Sequence, residues 1–285
     1  MNEEKRERRF SRWMRAPMTL WAIAFVLMAI VYVVGLSFQE SDGAMGTTGR
    51  WTLANYQALI DPSNLRVLGN SLLLALETMG LCLLIGYPFG YLMARGSKTR
   101  RAVLMFLVIV PFWTNALIRI YGWKILLYSG GPVSRLLEWL GLTSSPTSIL
   151  YTQGAVLLGM VYALLPFMIL PSYSAAEKMD YTLVEASRDL GASPLKSFFT
   201  VILPQTASGM MAGCVLVLVP AMGLFFLSDI LGGAKTVLLG NRIQDAYSRR
   251  HNLPLASSLS VLFLGLSALL LMLQRRLSGG DISLM

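Results

Sequence analysis

Long apolar runs alternate with short polar connections along the whole chain. A helix needs about 20 apolar residues to cross the hydrocarbon core of a bilayer. Six segments reach that length: residues 17–38, 67–94, 102–127, 150–172, 206–228 and 255–274. The first run is too long for a removed signal peptide and lacks a small-residue cleavage site, so we expect a retained span. The pattern therefore predicts an all-α polytopic membrane protein with six transmembrane helices.

A polar stretch between the fourth and fifth runs carries several helix-start and helix-stop signals. Thr182 and Glu185 have the spacing of a capping box, which predicts the start of a short helix. Gly191 tolerates the left-handed backbone common at a helix C-terminus, and Ser193-Pro194 is typical of the start of a second helix. We expect a short helix, a sharp bend and a second helix that Leu203-Pro204 ends at the fifth span.

Composition supports the membrane interpretation and argues against binding of nucleic acid. Hydrophobic residues make up 55% of the chain, charged residues 14%, and the mean hydropathy is +0.59. Soluble domains average about 25% charged residues. The net charge is +9, but the basic residues lie in the gaps between apolar runs, as is typical of membrane proteins. The expected surroundings are a lipid bilayer, with no nucleic-acid partner.

The distribution of basic residues predicts the orientation. Of the 24 Lys and Arg residues, 15 lie in the N-terminal tail, the second-to-third connection, the polar stretch and the C-terminal tail. By the positive-inside rule these segments face the cytoplasm. The predicted organisation is a cytoplasmic tail at 1–16, a transmembrane domain at 17–274 with a cytoplasmic loop at about 176–204, and a cytoplasmic tail at 275–285.

Neither catalytic nor nucleotide-binding chemistry is indicated. The segment Gly232-Gly233-Ala234-Lys235 lacks the glycine that must precede the lysine of a phosphate-binding loop. We find no metal-ligand cluster and no set of Ser, His, Asp or Cys side chains suited to nucleophilic catalysis. The sequence predicts a non-catalytic protein without cofactor or metal, so any nucleotide energy must come from a separate subunit.

The polar stretch resembles a motif of a known family. Glu185-Ala186-Ser187, Gly191 and Val201-Ile202-Leu203-Pro204 are similar to the EAA loop in permease subunits of bacterial ABC importers. That motif reads Glu-Ala-Ala, three residues, Gly, nine residues and Ile-x-Leu-Pro. Ser187 and Val201 are mild departures from it. Three further segments, 111–122, 212–226 and 228–235, resemble the permeases of spermidine/putrescine importers.

The resemblance implies the type I permease fold in the bacterial inner membrane and an assembly with other subunits. These are a second, different permease, a cytoplasmic ATPase dimer and a periplasmic polyamine-binding protein. The short loop helix would dock in the ATPase and couple its motion to the spans. The residues implied in that coupling are Glu185, Ala186, Ser187, Arg188, Asp189 and Gly191. An alternative is that Glu185 serves only to cap its helix.

A path for polyamine cations needs carboxylates and aromatic faces. Glu77 is the one acid well inside a run, where a carboxylate is a candidate for function. An ion pair with Arg119 is the alternative for it. Trp113 and Tyr121 offer rings, although packing or an interfacial position would also explain them. Asp229 is expected at the outer mouth.

Two other functions stay open at this point. One is an ABC importer permease for another substrate. The other is a proton-coupled secondary carrier, which the absence of an inverted pair of broken helices disfavours.

Overall fold

The computed structural model of the chain describes residues 3–141, 148–233 and 235–277, and for residues 3–16 and Ala22 it describes the backbone alone. The predicted C-terminal tail at 275–285 and the Gly-Gly-Ala-Lys segment therefore lie partly outside the described residues. The helices are α1 (Glu3–Ser37), α2 (Ala54–Leu59), α3 (Pro62–Ala94), α4 (Lys98–Ile109), α5 (Ala116–Leu127), α6 (Pro132–Trp139), α7 (Gln153–Glu177), α8 (Thr182–Asp189), α9 (Pro194–Ser197), α10 (Leu203–Gly223), α11 (Phe225–Gly232), α12 (Leu239–Ser248) and α13 (Leu253–Leu277). Strands β1 (Gln39–Ser41) and β2 (Thr47–Trp51) form an antiparallel pair.

Five helical segments are long and apolar enough to cross a membrane, which confirms the all-α polytopic fold. They are Pro17–Ser37, Pro62–Ala94, Gln153–Glu177, Pro194–Gly223 and Leu253–Arg276. A sixth crossing results if the bent pair Lys98–Trp113 and Ala116–Trp139 counts as one span.

The third predicted span, 102–127, is two helices rather than one. Helix α4 passes into a 3-10 turn at Val110–Trp113, and α5 starts anew at Ala116 with a bend of 96° at the break. Pro111 supplies no amide hydrogen to continue α4. Asn115 then caps α5, because its Oδ1 accepts a hydrogen bond of 2.8 Å from the Leu117 amide. This cap satisfies one of the amides that a new helix start leaves without a partner in the helix.

The chain divides into two compact units, one comprising residues up to 64 with 242–264 and the other comprising 65–241 with the residues from 265 onward. In the first unit the end of α1 is tied to α2. The Asn55 side chain donates to the Ser37 carbonyl at 2.9 Å and to the Gln39 carbonyl at 2.8 Å. The Tyr56 hydroxyl lies 2.7 Å from Ser37 Oγ. These bonds fix the point at which the chain leaves the first span.

The second unit is built around α7, which packs closely against α10 and α3. A Cβ added at Gly209 of α10 would lie 2.5 Å from the Pro171 carbonyl oxygen, and one at Gly90 of α3 would lie 2.8 Å from that of Ile169. Small residues of this kind let helix backbones approach closely in membranes. One buried cluster joins α3, α5, α7 and α11 with Leu150 and Leu238: its members are Leu74, Ile120, Leu127, Leu150, Ala155, Val156, Met160, Leu227, Leu231 and Leu238.

Three buried hydroxyl groups in α3 and α10 bond back to their own backbone. Ser71 Oγ donates to the Val67 carbonyl at 2.7 Å, Thr78 Oγ1 to that of Leu74 at 2.7 Å, and Thr206 Oγ1 to that of Ile202 at 2.8 Å. An unsatisfied polar group in an apolar medium is costly. The i−4 carbonyl is the nearest acceptor, so these hydroxyls can be buried.

Candidate functional site

Helix α8, the short helix of the polar stretch, is started by Asp180 and not by the predicted capping box. Asp180 Oδ1 accepts hydrogen bonds from the Thr182 amide at 3.0 Å and the Thr182 hydroxyl at 2.8 Å. These bonds, the hydroxyl first, lower the pKa of Asp180. Tyr181 at the N-cap position is already helical, with φ −71° and ψ −19°. The prediction of a Thr182–Glu185 capping box was therefore wrong, and within the described chain Glu185 has no capping hydrogen bond.

The bend after α8 has the geometry that the glycine predicted. Gly191 has φ +84°, a backbone conformation that costs other residues about 1–2 kcal/mol. The Ala192 amide donates to the Ser187 carbonyl at 3.0 Å, and the Gly191 amide donates to that of Arg188 at 2.8 Å. This pair of bonds is a Schellman motif. The next helix starts as expected, with Ser193 Oγ accepting from the Lys196 amide at 3.3 Å.

One side of α8 is held against the membrane domain. Val184 is buried with Met179 and Ile202 in a small apolar cluster. Ser187 Oγ donates to the Val184 carbonyl at 2.8 Å and lies 2.7 Å from Oγ of the buried Ser197. The serine that departs from the Glu-Ala-Ala pattern thus joins α8 to α9, and it is turned toward the protein.

The opposite side of α8 is open. Glu185, Ala186, Arg188 and Asp189 are all exposed. Leu190, just beyond the last of these, is 90% exposed, and Leu195 on α9 is 72% exposed. We call Glu185, Ala186, Arg188, Asp189, Leu190 and Leu195 the α8 face. Its mixture of both charges with two bare leucines on a rigid bend suits a protein partner.

The helix after the bend does not end at Leu203-Pro204 as predicted. Helix α9 continues through a π turn at Phe198–Ile202 into α10. The Leu203 amide donates to the carbonyl of Phe198, five residues earlier. Pro204 lacks an amide hydrogen, and widening the preceding turn lets the helix pass it without ending. The α8 bend is therefore connected to the fifth span by unbroken helix.

Two arginines contact the same region, Arg95 in the α3–α4 connection and Arg101 in the first turn of α4. The Arg95 guanidinium carbon lies 5.9 Å from the centroid of the Tyr91 ring and 5.8 Å from that of Tyr181. Arg101 pairs with Glu177 at the end of α7, and its Nη2 donates to the Ala94 carbonyl at 2.8 Å. Sequence reasoning could interpret both arginines only as signals of membrane topology. Their partners on α7 and before α8 are distant along the chain, so no local pattern predicts these contacts.

Glu77 lies half-buried on α3, where its partner is an amide. Gln153 Nε2, at the start of α7, donates to Glu77 Oε2 at 3.3 Å. In the described part of the chain Glu77 and Arg119 form no ion pair, so that alternative is wrong. Arg119 instead donates to the Pro111 carbonyl at 2.5 Å, with its guanidinium 5.1 Å from the centroid of Phe112. Arg119 thereby bridges the bend between α4 and α5.

The other three predicted path residues have separate neighbours. Trp113 is 74% exposed at the end of the 3-10 turn and meets Phe106 edge to face. Tyr121 is exposed, with Lys124 Nζ 5.8 Å from its ring centroid. Asp229 Oδ1 accepts from Asn241 Nδ2 at 2.7 Å. Among the residues described, no hydrogen bond, ion pair or ring contact joins any two of the four predicted path residues, and no group of three His, Cys, Asp or Glu could hold a metal ion.

Comparison with known families identifies the chain. Residues 86–279 match the family of binding-protein-dependent transport system inner membrane components. The chain belongs to this family. The predicted resemblance is thus confirmed, and the α8 bend and the fifth span both lie within the matched range.

Several permeases are similar to this family member along most of their length. It is 44% identical over 258 residues to the spermidine/putrescine transport system permease protein PotB of Escherichia coli (strain K12), covering 90% of this chain and 94% of that protein. It is 46% identical over 256 residues to the protein of the same description from Haemophilus influenzae, covering 90% of each. The inner membrane ABC transporter permease protein YdcU of Escherichia coli is 30% identical over 253 residues, covering 84% of this chain and 80% of that one.

Solved structures support the same fold for this permease. A crystal structure of a bacterial ABC transporter involved in import of the acidic polysaccharide alginate contains a chain with a TM-score of 0.72 and 18% identity, covering 99% of this chain and all of that one. A chain of the MetNI methionine ABC transporter has a TM-score of 0.54 and 21% identity, covering 75% and 94%. At these identities the likeness shows the fold alone.

Proposed function

We propose that this permease is a transmembrane subunit of an ATP-driven, binding-protein-dependent importer of polyamines, spermidine or putrescine. The support for the substrate class is the 44% and 46% identity, along nine tenths of the chain, to proteins described as spermidine/putrescine permeases. In this assignment the chain forms part of the translocation path in the inner membrane beside a second, different permease. A periplasmic polyamine-binding protein delivers the substrate.

The α8 face is, in this proposal, the docking site for a separate cytoplasmic ATPase subunit, which hydrolyses the ATP. The observation that carries the proposal is the combination of an exposed, mixed-charge face with a bend whose opposite side is held to the rest of the protein by the Val184 and Ser187 contacts. Glu185, Arg188 and Asp189 offer charges of both signs, which set partner and register. Leu190 and Leu195 offer apolar area that gains free energy when covered.

The orientation in this proposal puts α8 and both termini in the cytoplasm. Ala44 lies in the hairpin after the first span, and Lys98 is the first residue of α4, directly after the connection that follows the second span. In intact cells a membrane-impermeant maleimide should label Ala44→Cys and not Lys98→Cys, and it should label both after the membrane is opened. Labelling of Lys98→Cys alone in intact cells would show that the orientation is opposite to the proposed one.

Reconstitution tests the function as a whole. Vesicles holding both permeases and the ATPase should take up labelled putrescine or spermidine only when ATP and the binding protein are supplied from their proper sides. Uptake driven by a proton gradient without ATP would favour a secondary carrier. ATP hydrolysis stimulated by a different loaded binding protein, with no polyamine uptake, would favour another substrate.

Glu185→Gln tests the docking role of the α8 face. Because the Glu185 side chain does not cap the helix, the variant should insert and fold as the wild type does. We expect weaker retention of the ATPase and uptake lowered by about two- to fivefold, the effect of an interfacial charge worth up to about 1 kcal/mol. Glu138→Gln, at an exposed glutamate of α6, is the matched control and should leave both unchanged. Normal ATPase retention and uptake in Glu185→Gln would remove the carboxylate from the coupling role.

A further inference from the structure

We propose that Arg95 and Arg101 act as positioning residues that link α8 to the α3–α4 connection, so that movement of α8 is passed to the second and third spans. The inference rests on the proposed docking of an ATPase on the α8 face. It assigns to two arginines a part in coupling that the Glu-Ala-Ala motif does not contain.

Arg101 fixes the α3–α4 connection to the end of α7. It pairs with Glu177 at the last position of α7, and its Nη2 donates to the carbonyl of Ala94 at the last position of α3. Its guanidinium carbon also lies 5.8 Å from the centroid of the Tyr173 ring on α7. One side chain at the start of α4 thus joins the ends of three helices, and it is only partly exposed.

Arg95 extends from this anchored connection to the beginning of α8. Its guanidinium carbon is nearly equidistant from the rings of Tyr91 and Tyr181, at 5.9 and 5.8 Å from the two centroids. Tyr91 belongs to the last turn of α3, and Tyr181 is the residue directly before α8. The Tyr181 hydroxyl donates to the Ala176 carbonyl at 3.3 Å, which fixes the ring against α7. Arg95 therefore joins α3 to α8 through two cation–π contacts.

The contact through Arg95 reaches a span that α8 does not reach along the chain. Helix α8 is covalently continuous with α7 on one side and, through the bend, with α10 on the other. Helix α3 ends at Ala94, and Glu77 lies nearer the middle of the same helix. The connection between α3 and α4 comprises only residues 95–97, so a displacement at Tyr181 cannot be absorbed by slack there. Coupling between sites is carried by such contiguous contacts when they connect rigid elements.

The test compares uptake with ATP hydrolysis in the complete reconstituted transporter. Arg95→Gln and Tyr181→Leu should each lower the polyamine taken up per ATP hydrolysed by about three- to tenfold, which lies within the range of measured changes in coupling. Tyr181→Phe keeps the ring and should stay near the wild-type ratio. Arg100→Gln removes an equal charge from an exposed neighbour on α4 and is the matched control, expected to have no effect.

A double variant separates linkage from independent damage. If Arg95 acts through Tyr181, the variant with both Arg95→Gln and Tyr181→Leu should be no worse than either single change. Additive losses, or an unchanged ratio in Arg95→Gln, would overturn the link. Thermal unfolding and ATPase retention should match the wild type in Arg95→Gln, because the side chain is exposed. The proposed part of Glu185 in docking fails separately, through normal ATPase retention and uptake in Glu185→Gln, so the two failures are distinguishable.

Discussion

At the scale of single residues, Asp180 shows how one carboxylate sets the start of α8. It accepts from both the amide and the hydroxyl of Thr182, and those bonds lower its pKa. Thr182 and Glu185 have the spacing of a capping box, so the sequence alone does not decide whether Asp180 or Thr182 starts the helix. The backbone of Tyr181 decides it. Because Tyr181 is already helical, Thr182 is one position too far into the helix to act as its cap.

The lowered pKa of Asp180 predicts a pH dependence of α8. A carboxyl whose pKa is depressed by folding stabilises the folded state fully above its ordinary pKa, about 3.9 for aspartate. That contribution is lost as the pH falls further, through the lowered value. Hydrogen-exchange protection of the α8 amides in the full chain should therefore decline in that acid range and be independent of this group near neutral pH.

Asp180→Asn provides the control for this pH effect, since asparagine is also a good capping residue and does not titrate. The variant should retain protection near neutral pH and lose the acid-dependent part of the decline. An identical acid profile in the two proteins would show that another group is responsible.

At the scale of elements, the α8 bend depends on the left-handed backbone of Gly191. Gly191→Ala should strain the Schellman motif by about 1 kcal/mol or more. A Cβ at this position meets open space, with no atom within 4 Å, so the strain is in the backbone and not in packing. We expect normal insertion with reduced ATPase retention and uptake, measured in the reconstituted transporter.

Gly80→Ala is the matched control for the bend. Gly80 also has open space around its Cβ position, but it lies within α3 and has no positive φ. Alanine is the better helix former, so Gly80→Ala should leave transport intact. Equal effects of the two substitutions would mean that the lost function does not come from the bend.

Two prolines have different effects on their helices at this scale. Pro111 and Pro204 both remove an amide hydrogen, yet α4 breaks beside Pro111, whereas the helix through Pro204 continues by a π turn. The local sequence identifies the missing donor in each case. After Pro111 the side chain of Asn115 caps a new helix, whereas after Pro204 the Thr206 hydroxyl donates to the Ile202 carbonyl and the helix continues.

At the scale of the whole molecule, hydropathy was enough to predict the membrane fold, because bilayer thickness fixes the length of each apolar run. The bend near Gly191 was likewise predictable, since its bonds lie within a few residues. Contacts such as Arg95 with Tyr181 and Gln153 with Glu77 were not predictable, because they join residues 76 or more positions apart. Those contacts depend on packing, which no local pattern encodes.

The proposed cation path extends over the molecule, from Asp229 on α11 to Glu77 on α3, and can be tested by removing its two charges. Asp229→Asn keeps the 2.7 Å hydrogen-bond geometry to Asn241 available while removing the exposed charge. It should slow uptake at low polyamine concentration by about two- to fivefold. The loss should shrink at high ionic strength, where surface charges are screened beyond about 3 Å at 1 M salt.

Glu77→Gln should lower uptake at all polyamine concentrations and with less dependence on salt, because Glu77 is half-buried and a less exposed charge is screened less. Gln153→Ala tests whether the amide that contacts Glu77 positions its carboxylate; a smaller loss of uptake in this variant would assign the main effect to the charge. Glu138→Gln again serves as the exposed control. Full activity in both Asp229→Asn and Glu77→Gln, with normal assembly, would exclude an electrostatic path through these residues and leave aromatic rings and carbonyl oxygens as the groups that guide the cation.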